Sequence, residues 1–284
     1  MKSRSDASIL GYRRFLETRD GSVDAGCETL SRREEFFRGI ETRTVRSSWR
    51  PDADTFQRNV ALSRPEPGLD GRMLWLLATA KANQSERFGV ELGRLYGLTP
   101  TLDTQPEQVH VLLQECYHTR TLADVVAIFG LRVPLRPPPA STRRMIELMI
   151  FGPFPEPFLL PLVGMSEQMG CVMFRLLRDR GAALFADEPA VAERIRVLFD
   201  EILADEICHV GLIEARLGAT GRAVMRALHR LVAPRIAPGM APECTSLVGR
   251  DAFLRALRAP FDQAALAAEF PRTAYDFASP WPAV

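Results

Sequence analysis

Apolar residues recur along this chain at a spacing of three to four, the period of an amphipathic helix. No run of useful length alternates as a strand would. The pattern predicts a long helix from about Leu69 to Leu95, closed by Gly97 and Pro100 in the places of a C-cap and a stop. A second begins near Pro106, a proline suited to a first turn, and runs towards Phe129, Gly130 and the Pro137-Pro138-Pro139 run. Ser141 is placed to cap a short helix through Met149. A third long helix is predicted from about Leu162 to Arg180. The fourth is predicted from Pro189 to Leu217, capped by Asp187 and ended by Gly218.

The flanks read as helical too. Short pieces are expected over Thr29 to Thr44 and Asp52 to Leu62, with a turn at Ser63 to Gly68, where Pro65 and Pro67 exclude helix. Beyond the fourth long helix, Gly221 to Leu231 and Asp251 to Phe270 read as helix. Pro234 to Pro242 reads as loop and Pro280-Trp281-Pro282 as an irregular tail. The expectation is an all-α chain folded as one domain: an N-terminal extension (1–68), a core of four long helices (69–217) and a C-terminal extension (218–284).

Composition narrows the partners. The chain has 284 residues and a formal net charge of +1, so it carries no overall field for nucleic acid or an anionic membrane. Five cysteines without CxxC spacing argue against a disulfide framework or a thiolate zinc site, and for a reducing, cytoplasmic setting. No apolar h-region follows Met1 to Asp6, so no secretory signal is expected. The most apolar stretch, Met149 to Met165, is interrupted by Pro153, Pro155, Pro157 and Pro161. It reads as a buried, kinked approach to a helix rather than a membrane span.

The chemistry lies in two repeats of Glu-x-x-His. The second long helix carries Glu115 and His118, and the fourth carries Glu206 and His209. A spacing of three puts both side chains on one helix face about a turn apart, where they can share a metal ion. Two such helices, with one glutamate from each of two more, make the ligand set of dinuclear carboxylate bundles. Depth selects the single glutamates. Glu115 lies about 20 Å beyond the turn near Thr101; Glu86 matches that depth on the preceding helix, and Glu91 falls short. Glu167 is the only acid deep in the third helix, within a turn of the depth of Glu206. Apolar neighbours (Leu112, Leu113, Leu122, Ile207, Val210) make these polar groups costly to bury unless they are paired or bind metal. Glu107 and His110 repeat the spacing, but His110 faces about 80° away from His118; both are expected at the surface.

The order Glu, Glu-x-x-His, Glu, Asp-Glu-x-x-His resembles the ferritin-like di-iron superfamily, which includes ribonucleotide reductase small subunits, bacterial multicomponent monooxygenases, rubrerythrins and p-aminobenzoate N-oxygenases. The resemblance covers about Leu69 to Leu217. It implies a ferritin-like four-helix bundle with additional N- and C-terminal helices. The implied ligands of two iron ions, or a manganese–iron pair, are Glu86, Glu115, His118, Glu167, Glu206 and His209. Asp205 would accept the ring N–H of His118, and Gln114 would accept that of His209. Leu122 stands where the reductase subunits carry a radical tyrosine, and Ile202 where the N-oxygenases carry an extra histidine.

The implied activity is O2-dependent hydroxylation, N-oxygenation or desaturation of a small organic substrate. Electrons would come from an external ferredoxin or reductase, and a homodimer is compatible with the resemblance. A ferroxidase or peroxide-scavenging protein, or a metal-free interaction module, is the alternative. Cys171 and Phe174 can line a cavity or be plain core. Tyr117 can hydrogen-bond locally or pack, and Arg120 and Arg175 can meet a substrate carboxylate or form surface ion pairs. His229 reads as a surface residue.

Overall fold

The protein was analysed as a computed structural model, which describes residues 4–96, 100–152, 155–270, 273–275 and 277. Among them there are thirteen helices and no strand; one isolated antiparallel bridge joins Val23 and Leu30. In chain order the helices are α1 (Arg4–Asp20), α2 (Ser31–Thr42), α3 (Ala53–Val60), α4 (Gly71–Leu95), α5 (Pro106–Ala127), α6 (Ala140–Phe151), α7 (Glu156–Leu184), α8 (Pro189–Arg216), α9 (Ala219–Leu231), α10 (Ala233–Met240), α11 (Pro242–Val248), α12 (Arg250–Arg258) and α13 (Gln263–Glu269). Gly97, Pro153 and Pro280 to Pro282, which the sequence reading used as breaks or tail, lie outside the described residues.

The four long helices pack as a ring of neighbours: α4 on α5, α5 on α8, α8 on α7, and α7 back on α4. Each start has a local cause. The Asp70 side chain accepts the Met73 amide at 2.7 Å and caps α4. Pro106 and Pro189 open α5 and α8, where a missing N–H costs nothing. Pro157 does the same for α7, which therefore begins six residues before the predicted Leu162.

One end of the ring is closed by fully buried rings. Trp75 of α4 donates its indole N–H to the Leu177 carbonyl of α7 at 2.7 Å and packs among Phe129, Phe185 and Phe199. A Cβ on Gly181 would stand 2.6 Å from the Trp75 ring, so this approach needs glycine. Trp75 thus sets the distance between α4 and α7 below the site.

The extensions lie on the ring rather than beside it. Helix α1 packs on α5 and α8, and α2 on α1; α11 packs on α4, α9 on α7, and α13 on α8. Several expectations give way here. Pro234 to Pro242 is not a loop: Ala233–Met240 is helical, with Pro234 in its first turn. Asp187 does not cap α8, because its carboxylate is held by Arg72 at 2.6 Å; Glu188 takes the N-cap position, but its carboxylate accepts from Ser47 and Ser48 instead of capping the helix. Ser141 lies inside α6, which starts at Ala140 after Pro139, and its hydroxyl donates to the Gly239 carbonyl. The approach to α7 is not buried, since Phe151 and Phe158 are exposed. No helix among the described residues is long and apolar enough to cross a membrane.

Candidate metal centre

Helix α4 brings Glu86, α5 brings Glu115 and His118, α7 brings Glu167, and α8 brings Glu206 and His209 to one level of the ring. Their donor atoms form two quartets: Glu86, Glu115, His118 and Glu206; and Glu115, Glu167, Glu206 and His209. Within each, one atom per residue lies within 4.8 Å of the others. Glu115 and Glu206 belong to both, so each of these carboxylates can bridge two ions. His118 Nδ1 lies 3.5 Å from Glu115 and 3.4 Å from Glu206. His209 Nδ1 lies 3.2 Å from Glu115 and 3.5 Å from Glu167.

The far sides of both imidazoles are held by hydrogen bonds that fix the tautomer. Asp205 can only accept, so His118 Nε2 must carry the proton that it donates to Asp205 Oδ2 at 3.0 Å. Gln114 is oriented by Asp20, whose carboxylate accepts from Gln114 Nε2 at 2.8 Å. Gln114 Oε1 is therefore turned to His209 Nε2, at 2.9 Å, and accepts its proton. Both Nδ1 atoms are left buried, aimed among carboxylates and without a hydrogen-bond partner. Buried polar atoms seldom stay orphaned, and a lone pair facing two carboxylates is what a metal ion satisfies. Imidazole and carboxylate donors without thiolate can hold a divalent cation at each quartet.

Without metal the electrostatics are strained. Burial, together with the Glu167, Glu115 and Glu86 carboxylates, holds Glu206 well above the usual carboxylate range. Burial and its neighbours Glu115 and Glu167 do the same to Glu86. For Glu115 burial pulls upward too, but the adjacent His118 and His209 imidazoles outweigh it and leave the group well below its ordinary value. His209 is opposed by burial yet pushed up to about 10 by Glu115 and Glu167. The cluster thus holds itself together with protons, and cations can replace them.

The extensions complete this network. Asp205 is buried between Arg19 of α1 and Arg33 of α2, which also reaches Asp20 at 3.0 Å and Glu201. An unbroken chain of contacts therefore runs from His118 through Asp205, Arg33, Asp20 and Gln114 to His209. Nothing in the local sequence marks Arg19, Asp20 and Arg33. They sit in charge-rich segments that look like solvated helix faces, and no local spacing marks them as buried.

A cavity of about 400 Å³ opens on the four glutamates, walled mainly by apolar side chains that include Val90, Ile146, Met149, Met173 and Phe174. Gly170 also lines it. A Cβ there would come within 2.9 Å of Glu206 Oε2, so glycine makes the room this carboxylate occupies. Phe174 faces this cavity, whereas Cys171 lines a second one on another side of α7.

Other sequence candidates end elsewhere. Arg120 pairs with Glu34 and Glu41, and Arg175 with Glu269 at 2.8 Å, so neither reaches the centre. Tyr117 donates to Glu34 and accepts the Leu30 amide. Glu107 and His110 are buried, not at the surface: α1 packs on their helix, and Glu107 accepts from Arg13 of α1 and Arg216 of α8. His229 is buried as well.

No protein-family model, curated protein or solved structure matches this chain.

Proposed function

We propose that this chain is a ferritin-like di-iron oxygenase that uses O2 to oxidise a small organic molecule. The observation that carries the reading is the pair of quartets sharing Glu115 and Glu206, with both histidine lone pairs turned inward and all four carboxylates opening on one apolar cavity. Four glutamates and two Glu-x-x-His histidines on four neighbouring helices are the ligand pattern of carboxylate-bridged di-iron and di-manganese bundles. In this reading Glu86 and His118 hold one ion, Glu167 and His209 the other, and Glu115 and Glu206 both.

Iron held there supplies O2 activation and the power to oxidise an unactivated bond. The chain's own part is to place the substrate and keep water out. The Met149, Ile146 and Phe174 wall sets an apolar molecule against the carboxylates, and the buried Asp205 and Gln114 contacts keep both imidazoles in the ligating tautomer. The cavity favours an organic substrate over iron handling alone, which requires no such wall. Electrons come from an external donor, since the sequence has no flavin or iron–sulfur motif.

The test is to load metal-free protein anaerobically with Fe(II), then add O2, a chemical or ferredoxin-type reductant and a panel of small apolar compounds. Oxygen uptake coupled to an oxygenated or desaturated product supports the reading. Uptake that yields only Fe(III) and water or peroxide supports the ferroxidase alternative. Absence of uptake by fully loaded protein overturns both.

A further inference from the structure

A second cavity, of about 630 Å³, lies on another side of α7, bounded by α7, α9, the end of α11, α12, α13 and the segment leading into α13. Its walls are largely apolar: Val172, Leu176, Val248, Phe261 and Leu266 line it. His229 of α9 also lines it and is only 4% exposed, yet neither ring nitrogen has a hydrogen-bond partner. Phe261 meets the ring edge-on with centroids 6.1 Å apart and offers no donor or acceptor.

An imidazole buried this deeply with both nitrogens unmatched loses hydrogen bonds it would make in water, and most such groups in proteins find a partner. We propose that this cavity is a second small-molecule site, which takes a neutral, largely apolar ligand carrying a hydroxyl group, bound by a hydrogen bond to His229.

The chemistry of the walls selects that class. Burial moves the His229 pKa down, so the ring is uncharged near neutral pH, with one N–H and one lone pair. A hydroxyl matches either nitrogen, since it both donates and accepts. A carboxylate finds less: of the charged side chains that line the cavity, Arg175 is already paired with Glu269, and Arg180 stands among three acids, Asp179, Asp262 and Glu269. The volume lies within the range of pockets that enclose small organic ligands, and a few polar groups in an apolar cleft are the usual composition of such sites.

Cys171 of this cavity and Gly170 of the first are consecutive on α7, which is therefore a wall common to both. The proposal does not depend on metal at the first site.

The experiment is a titration of metal-free and metal-loaded protein with phenol and with toluene, of nearly equal shape. Calorimetry reports affinity, and ¹⁵N-histidine spectra report the ring. Phenol should bind about tenfold more tightly than toluene, the worth of one well-made hydrogen bond in an apolar pocket, and shift the His229 ring nitrogens only. His229→Phe should bind the two probes alike while metal content stays unchanged. His229→Gln, which keeps a donor and an acceptor, should restore part of the preference and covers the case in which the phenylalanine variant does not fold. Equal affinity of wild-type protein for both probes, unchanged His229 resonances, or no binding of either would overturn the assignment. Tighter binding of benzoate than phenol would overturn the neutral class.

Discussion

His209 Nε2 donates to Gln114 Oε1 at 2.9 Å, and Gln114 is held in that orientation by Asp20, an acceptor that takes the amide N–H on the other side. A residue of the N-terminal helix therefore decides which nitrogen of a histidine some distance away is free. Gln114→Leu removes the acceptor and leaves a buried N–H unpaired. Metal affinity, measured by competition with a chromophoric chelator, should fall by about 10- to 100-fold. Asp205→Asn should have an effect of similar size through His118. Affinity unchanged in both variants would show that the imidazoles are not the ligands.

Arg33 tests the structural side of the same network. Its guanidinium is buried between Asp20 and Asp205, and removing one member leaves carboxylates uncompensated in the interior. Arg33→Met should lower unfolding free energy by about 3–5 kcal/mol, read as a lower denaturant midpoint at unchanged slope. Arg120→Met, which breaks a half-exposed pair with Glu34 and Glu41, should cost about 1 kcal/mol or less.

Gly170→Ala separates packing from ligation. The added methyl would sit 2.9 Å from Glu206 Oε2, too close unless the carboxylate moves. Because Glu206 belongs to both quartets, the variant should fold with near-wild-type stability and weaken both ions together. Loss of only one ion would place Glu206 on a single metal.

The shifted groups also set a pH dependence for the metal-free protein. Glu86, Glu206 and His209 all have raised values, so each favours the protonated folded state. Their contribution is full below the unfolded values and is lost as pH rises through the folded ones, which for His209 is about 10. Asp205 and Glu115 are lowered and act the other way, losing their contribution only in acid. The melting temperature of metal-free protein should therefore fall as pH rises from roughly 6.5 towards 10. Metal ions displace those protons, so loaded protein should keep its melting temperature over that range, and loading should release protons that a pH indicator can count. A metal-free melting temperature that rises towards alkaline pH would contradict the electrostatics described here.

How much of this could be read from the sequence follows from the range of the signals. The extents of α4, α5 and α8 could be read closely, because period and punctuation are local: Pro100, Pro106, Pro189 and Gly218 act on their own neighbours. That Glu86, Glu115, His118, Glu167, Glu206 and His209 come together was legible because Glu-x-x-His spacing is local and depth along a hairpin is simple geometry. The burial of Glu107, His110 and His229 was not, since what covers them comes from α1 and the C-terminal helices. Arg19 and Arg33 were hidden for the same reason: a charged residue in a charged segment looks solvated until a partner far along the chain, Asp205, is placed against it, and Asp20 was hidden with them because its partners are Arg33 and Gln114.

The central claim is that Glu115 and Glu206 join two metal sites, and metal stoichiometry tests it most directly. Protein stripped of metal and titrated anaerobically with Fe(II) should bind about two ions per chain. Glu86→Ala and Glu167→Ala should each weaken one of them, and Glu115→Ala and Glu206→Ala should weaken both. A wild-type stoichiometry of one or none, or two tightly held ions in the Glu115→Ala variant, would contradict the account.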